Sequence, residues 1–266
     1  YVRAAGDENK NNVGDEIRLT AEYTKNPNYT VEIVPGMLTI VAAGDNGVSA
    51  EGQTVTYDGT GHGLKRAEAL KEGSTLWYST DNKEFSETAP LFTEAGSYTV
   101  YVKAKNPNYA DTDTAEATVE IKKRGLEFKT LKKEKDYDGT PLTNPAFEVT
   151  KGDTAPGQEL QVYVSGSITE AGRTANTVSS YRVVAAGTDA ADEKAKDYKS
   201  NYEIRYTEED LIVNLAAGNR VTAEGQTVEY DGKAYGLISA SAEKEGSTLL
   251  YSTNGTEYSE TAPTFT

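Results

Sequence analysis

Apolar and polar residues alternate along much of this chain with a period of two. In SYTVYVKA (97–104), Tyr98, Val100, Val102 and Ala104 fall on one side, and Thr99, Tyr101 and Lys103 on the other. That is the pattern of a strand with one buried face. ATVEIKK (117–123) alternates in the same way, and STLWYST (74–80), LQVYVSG (160–166) and LTIV (38–41) are rich in strand-forming residues. Turn signals separate these runs: YDG at 57–59, 137–139 and 230–232, NPNY at 26–29 and 106–109, and EAG at 94–96 and 170–172. Short strands with turns every 8–12 residues or so predict an all-β chain of sandwich or barrel type. RAEALKE (66–72) is the helix candidate in its region, but the corresponding SASAEKE (239–245) lacks the apolar Leu70. The segment therefore reads as a strand or as irregular.

That correspondence belongs to a long internal repeat. Residues 48–93 and 221–266 align without a gap at an offset of 173, with about two-thirds of positions identical. They share Tyr57-Asp58-Gly59 with Tyr230-Asp231-Gly232, KEGSTL at 71–76 and 244–249, and SETAP at 86–90 and 259–263. The same offset matches Tyr29 with Tyr202, Leu38 with Leu211 and Ile40 with Val213. The opening YVRAAG matches YRVVAAG (181–187) only after a gap, in a polar loop that tolerates length change. Two module types follow. Residues 1–43 read as the C-terminal part of a type B module and 44–123 as a complete type A module. Residues 124–216 read as a complete type B module and 217–266 as the N-terminal part of a second type A module. Both ends fall inside modules, so the chain is expected to be a window on a longer array. The expected fold is a set of tandem small β-sandwiches, immunoglobulin-like, in an elongated array. In AGSYTVYV a turn at Gly96 delivers Tyr98 into a strand. Immunoglobulin-like sandwiches place a tyrosine there with its hydroxyl bonded back to the backbone; the other reading is an ordinary buried tyrosine.

The order of these motifs carries a resemblance. Tyr-Asp-Gly is followed by GSTLWYST, an Ala-Pro pair, AGSYTVYVKA and NPNY, and this series resembles the MBG/YDG-type repeats of bacterial surface proteins. The B segments, with YDGTPLTN (137–144), SGSITEAGRTANTVSSYRV (165–183) and NYEIRYTEEDLIV (201–213), resemble a companion type. The resemblance implies long, secreted or wall-attached, often adhesin-like proteins whose modules form a stalk, and it brings no catalytic residues with it. The YDG residues, Tyr57, Asp58 and Gly59, Tyr137, Asp138 and Gly139, and Tyr230, Asp231 and Gly232, then read as architectural marks. Asp-Gly makes a tight turn and the preceding tyrosine anchors it.

Charge and composition narrow the chemistry. The 266 residues carry a net charge of −15, which disfavours nucleic acid and anionic membrane surfaces as partners. No apolar run approaches the 18 or so residues of a membrane span. Cysteine is absent and Met37 is the sole methionine, so disulfides and thiolate sites are ruled out. The single His62 becomes Tyr235 in the other copy, which excludes a functional histidine common to both; His62 reads as an exposed loop residue. No phosphate loop, and no Lys–acid–Asn set for an isopeptide crosslink, stands out. The chain is expected not to be an enzyme and to need no cofactor. Calcium is the one metal to weigh, at Asp111 and Asp113 or at Asp189, Asp192 and Glu193, against solvated acidic loops. Trp77, whose twin is Leu250, is either a sugar platform peculiar to one copy or a core or junction residue.

The expected role is structural: spacer repeats of a cell-surface or secreted protein, partnered by neighbouring modules of the same chain and projecting a distal domain. The alternatives are an adhesin module that holds host glycan or protein itself, and an assembly protein that pairs edge strands between chains.

Overall fold

A computed structural model describes residues 2–21 and 23–266; Tyr1, which opens the match to 181–187, lies outside the described residues. The chain is all-β. Its strands are, in order, β1 (Val2–Arg3), β2 (Glu16–Thr20), β3 (Gly36–Thr39), β4 (Val48–Glu51), β5 (Gln53–Thr56), β6 (Arg66–Ala69) and β7 (Thr75–Ser79). Next come β8 (Gly96–Lys105), β9 (Ala115–Lys122), β10 (Arg124–Thr130), β11 (Lys133–Asp136), β12 (Leu142–Thr143), β13 (Phe147–Gly152) and β14 (Gln158–Val164). The last seven are β15 (Ser167–Ile168), β16 (Gly172–Ala175), β17 (Val178–Ala185), β18 (Tyr202–Thr207), β19 (Asp210–Asn214), β20 (Val221–Glu224) and β21 (Ser239–Ala242). A 3₁₀ turn at Lys199–Asn201 is the one helical element among the described residues, and none of their helices is long and apolar enough to cross a membrane.

Two compact units divide the chain. Unit 1 holds residues 1–128, 149–162 and 181–206; unit 2 holds 129–148, 163–180 and 207–266. Residues 124–216 thus contribute to both.

In unit 1, β5, β9, β8 and β7 form a four-stranded sheet in that order, and β4 pairs with β6. β8 and β9 are antiparallel, with Tyr98 opposite Val119 and Val100 opposite Ala117. β5 runs parallel to β9, with Val55 opposite Ile121. The alternation read at 97–104 is realised: Val100, Val102 and Ala104 are fully buried. Val100 and Val102 share a core with Val119, Ile121 and Tyr57, onto which Val48, Ala50 and Ala67 of β4 and β6 also pack. RAEALKE begins as strand β6, paired with β4, and its Leu70 is exposed; the half-buried residues are Ala67 and Ala69, two apart, as a strand requires. Residues 124–128, 149–152 and 202–206 belong to the sheet ordered β13, β10, β18. The tail strands form the sheet β1, β2, β3, in which Ile17 is buried.

Unit 2 contains the sheet β11, β19, β16 and the pairs β12–β15 and β20–β21. β11 runs parallel to β19, with Lys133 opposite Leu211. Leu142, Leu211 and Val213 form its small buried core.

Candidate functional site: the joint around Tyr57

The Asp-Gly turn after β5 is built from short-range bonds. Asp58 Oδ1 accepts the Thr60 backbone N–H at 2.9 Å and the Thr60 hydroxyl at 2.8 Å. Gly59 takes a φ of +82°, open to glycine at no steric cost. Tyr57 N–H donates to Lys122 O at 2.8 Å, which fixes the residue to the end of β9. With both sides pinned, the ring turns inward and is 1% exposed.

Its surroundings come from beyond residue 123. The Tyr57 hydroxyl accepts from Gln158 Nε2 at 2.8 Å. Gln158 Oε1 in turn accepts from the Tyr202 hydroxyl at 2.7 Å, and that hydroxyl accepts the Ala155 N–H at 2.8 Å. The two rings meet edge to face, with centroids 5.5 Å apart. Leu126, Ala155, Val183 and Tyr202 therefore complete one buried cluster with Tyr57, Val100, Val102, Val119 and Ile121. Burial pushes the Tyr202 phenol up from its ordinary pKa, so the hydroxyl stays a donor. Arg124 closes the outside: its Nη1 donates to Tyr57 O at 3.3 Å and its Nε to Asp153 O at 2.9 Å, and its Nη2 pairs with the Asp153 carboxylate. Lys123 alone separates β9 from β10.

A second set of contacts lies at the EAG turn. Buried Asn201 accepts the Ala95 N–H at 2.7 Å and donates from Nδ2 to Glu94. Lys196 Nζ reaches the same carboxylate at 2.7 Å, and this bond, with that of Asn201, holds Glu94 below the ordinary carboxylate pKa. Tyr98 donates its hydroxyl to Glu94 O at 2.9 Å and stacks on Phe92 with centroids 4.1 Å apart. The back-bond to the turn has the geometry considered for Tyr98 in the sequence. Truncating Asn201 to alanine leaves the Ala95 N–H and Glu94 without a buried partner, with an expected loss of about 1–3 kcal/mol. Urea unfolding followed by the fluorescence of Trp77, the sole tryptophan, measures it.

All three YDG turns share one geometry and differ in burial. Asp138 Oδ1 accepts the Thr140 N–H at 2.9 Å and Asp231 Oδ1 the Lys233 N–H at 3.0 Å, with φ of +79° at Gly139 and +77° at Gly232. Tyr137 N–H donates to Asn214 O, at the end of β19, as Tyr57 does to Lys122. Yet Tyr137 is exposed, and Tyr230 is 90% exposed.

His62 is not the exposed loop residue expected. It is half-buried and bridges Phe92 through backbone bonds, and its Nε2 lies 2.9 Å from Asp58 Oδ1. Its twin Tyr235 donates its hydroxyl to Asp231 Oδ2 at 2.7 Å. Both side chains therefore do the same work, supplying a further donor to the turn aspartate. The Thr60 N–H and then His62 draw the Asp58 pKa down from 3.8 to about 2. A lowered native pKa means the charged form holds the turn. The stabilisation is complete above the ordinary value and drains away as pH falls toward about 2. The Thr60 amide resonance is expected to move in that window, and Asp58→Asn to abolish the movement.

Of the acidic residues weighed for calcium, two are engaged in their own turn. Asp189 and Asp192 each accept an N–H of their own turn, while the backbone oxygens of residues 189, 190 and 192 receive the Arg182 guanidinium. Asp111 and Asp113 are exposed on either side of Thr112, whose hydroxyl accepts the Ala104 N–H. Trp77 lies opposite Lys103 on β8, on the face away from the core residues Leu76 and Tyr78. The Lys105 ammonium stands 4.2 Å from its ring centroid, and that of Lys103 stands 4.7 Å from the Phe85 ring.

Gln158, Asn201 and Arg124 were not singled out in the sequence. Tyr202 was, but only as the twin of Tyr29.

No protein family profile and no curated protein matches this chain. Among solved structures, the chain is similar to the crystal structure of Drosophila N-cadherin EC1-3, at 13% identity and a TM-score of 0.21, covering 64% of this chain and 67% of that one. It is also similar to Drosophila N-cadherin EC1-4, at 14% identity and a TM-score of 0.20, covering 85% of this chain and 66% of that one.

Proposed function

We propose that this chain is a structural spacer, made of tandem β-sandwich modules of immunoglobulin-like kind, in the stalk of a cell-surface or secreted bacterial protein. Its partners are then the neighbouring modules of its own chain, and its task is to hold a distal domain away from the surface. One observation carries the reading. The Tyr57–Gln158–Tyr202 bonds lie inside a single buried cluster spanning Lys123, so segments read as separate modules cannot swing at that point without exposing apolar side chains. A spacer needs such joints, because a flexible link of the same length would collapse toward a coil. The short connection of β9 to β10 and the net charge of −15, which repels neighbouring stalks, favour the same role.

Spin labels at Lys83→Cys and Lys194→Cys test the joint in a chain free of native cysteine. Both positions are exposed and lie in unit 1. A single narrow distance distribution is expected, and one as broad as that of a flexible linker would sink the spacer reading. Specific retention of the chain on a glycan array would favour the adhesin reading instead.

A further inference from the structure

We propose that Asn254–Gly255 is an autocatalytic deamidation site, at which the loop's own groups convert the Asn254 carboxamide to a carboxylate through a cyclic imide. This does not rest on the spacer reading; it follows from the bonds around one carboxamide and from its twin in the other copy.

Backbone bonds of 2.7 and 2.9 Å between Tyr251 and Ser259 close the loop. Inside it, Asn254 Oδ1 receives three donors: the Thr256 N–H at 2.9 Å, the Glu257 N–H at 2.9 Å and the Ser252 hydroxyl at 3.1 Å. The Ser252 oxygen in turn accepts the Gly255 N–H at 2.8 Å and the Asn254 N–H at 3.3 Å. Gly255 has a φ of +75°, and nothing lies within 4 Å of where its Cβ would stand. One hydroxyl therefore touches both groups that must react, the amide nitrogen of Gly255 and the carboxamide of Asn254.

The reaction is an intramolecular acyl transfer. The Gly255 nitrogen adds to Asn254 Cγ, unhindered because glycine carries no side chain. Its proton passes to Ser252 Oγ as the Ser252 proton passes to Oδ1, which makes Ser252 the catalytic residue. Negative charge grows on Oδ1 as the bond forms, where the two backbone N–H groups already point, as in an oxyanion hole. The Cγ–Nδ2 bond then breaks, and ammonia leaves with the proton that the oxygen gives up. Water opens the imide: attack at Cγ gives aspartate, and attack at the backbone carbonyl gives isoaspartate. Either product adds one negative charge to a chain of −15.

The first copy displays the aspartate product. Asp81 stands where Asn254 does, and its Oδ1 accepts the Lys83 N–H at 2.9 Å, the Glu84 N–H at 3.1 Å and the Ser79 hydroxyl at 2.8 Å. The Lys83 N–H, and then Ser79, hold its carboxyl below the ordinary carboxylate range, so this set of donors favours negative charge on that oxygen. Residues 80–84 are exposed with β8 in place beside β7, so water reaches this loop in the complete module. The other Asn–Gly pair, Asn46–Gly47, is an internal control. Among the described residues, only the Gly47 N–H donates to Asn46 Oδ1, at 3.0 Å. The nucleophile is there tied to the oxygen it should leave free, and no second donor supports the charge.

The test incubates the full chain at mildly alkaline pH and follows both pairs by peptide mapping and mass spectrometry, where conversion adds about 1 Da. In the folded chain Asn254 is expected to convert about tenfold or more faster than Asn46, and in urea the two should convert at about equal rates. Ser252→Ala should slow the folded reaction at Asn254 about tenfold or more, and Ser252→Thr, which keeps the hydroxyl, should restore it. Asn254→Asp should leave the Thr256 and Glu257 amides as protected from hydrogen exchange as before. Conversion of Asn254 no faster in the folded chain than in urea overturns the proposal, as does a Ser252→Ala chain that converts as fast as the parent or faster.

Discussion

Replacing Tyr57 with alanine should destabilise unit 1 by about 4 kcal/mol, the range for truncating a large buried aromatic residue, while Tyr230→Ala should change stability by no more than about 0.5 kcal/mol. Both tyrosines open the same tripeptide, and both precede a turn of the same geometry. Only Tyr57 is enclosed, among Val100, Ile121, Leu126 and Tyr202. Alanine there opens a cavity and also strands Gln158 Nε2, which loses its acceptor. Tyr57→Phe separates the two effects: it keeps the ring and removes the acceptor, and should cost about 1–3 kcal/mol. Trp77 lies in β7 of the same unit, so urea unfolding followed by its fluorescence reports the loss directly. Equal costs at Tyr57 and Tyr230 would contradict the joint as described.

A second pair of twins should differ as sharply. Gly52 sits between β4 and β5, where a Cβ would lie 1.9 Å from the backbone oxygen of Thr118. Neither atom can yield, because Thr118 is held in β9 between β5 and β8. Gly52→Ala is therefore expected to cost 3 kcal/mol or more, roughly the upper end of overpacking penalties, and to shift the Trp77 unfolding curve accordingly. At Gly225, the twin, nothing lies within 4 Å of the same Cβ. Gly225→Ala should be harmless, or should stabilise by about 0.4–1 kcal/mol through the unfolded chain. A severe effect at Gly225 in hydrogen exchange of residues 221–266 would contradict the open space found around this glycine.

These twins also show what a sequence can convey. Turns and hairpins depend on residues a few positions apart, so identical stretches produced identical local geometry, down to the Gln53 and Gln226 side-chain bonds. The strand alternation at 97–104 was legible because its period of two survives any choice of partner. Burial of Tyr57 was not legible, since it depends on β8, β9 and residues beyond Lys123. The joint partners escaped notice for a related reason: Gln158 and Asn201 are polar residues beside turns, and in a sequence they look like surface. Asn201 is buried and Gln158 half-buried because each finds its partners 44 to 107 residues away along the chain. His62 and Tyr235 differ in chemistry, which hid their shared role as donors to an aspartate.

The parallel partnership of β5 with β9 bears on how this chain answers tension. β5 lies near the start of the 44–123 segment and β9 at its end, so pulling from opposite ends drags the two strands lengthwise past each other. All the rungs between Gln53 and Lys122 are then loaded at once, whereas an antiparallel hairpin pulled at its open end gives way rung by rung. β11 and β19 repeat the arrangement in unit 2. Resistance to stretching is a matter of unfolding rate rather than equilibrium stability, and this shear geometry is expected to slow forced unfolding even where the core is thin.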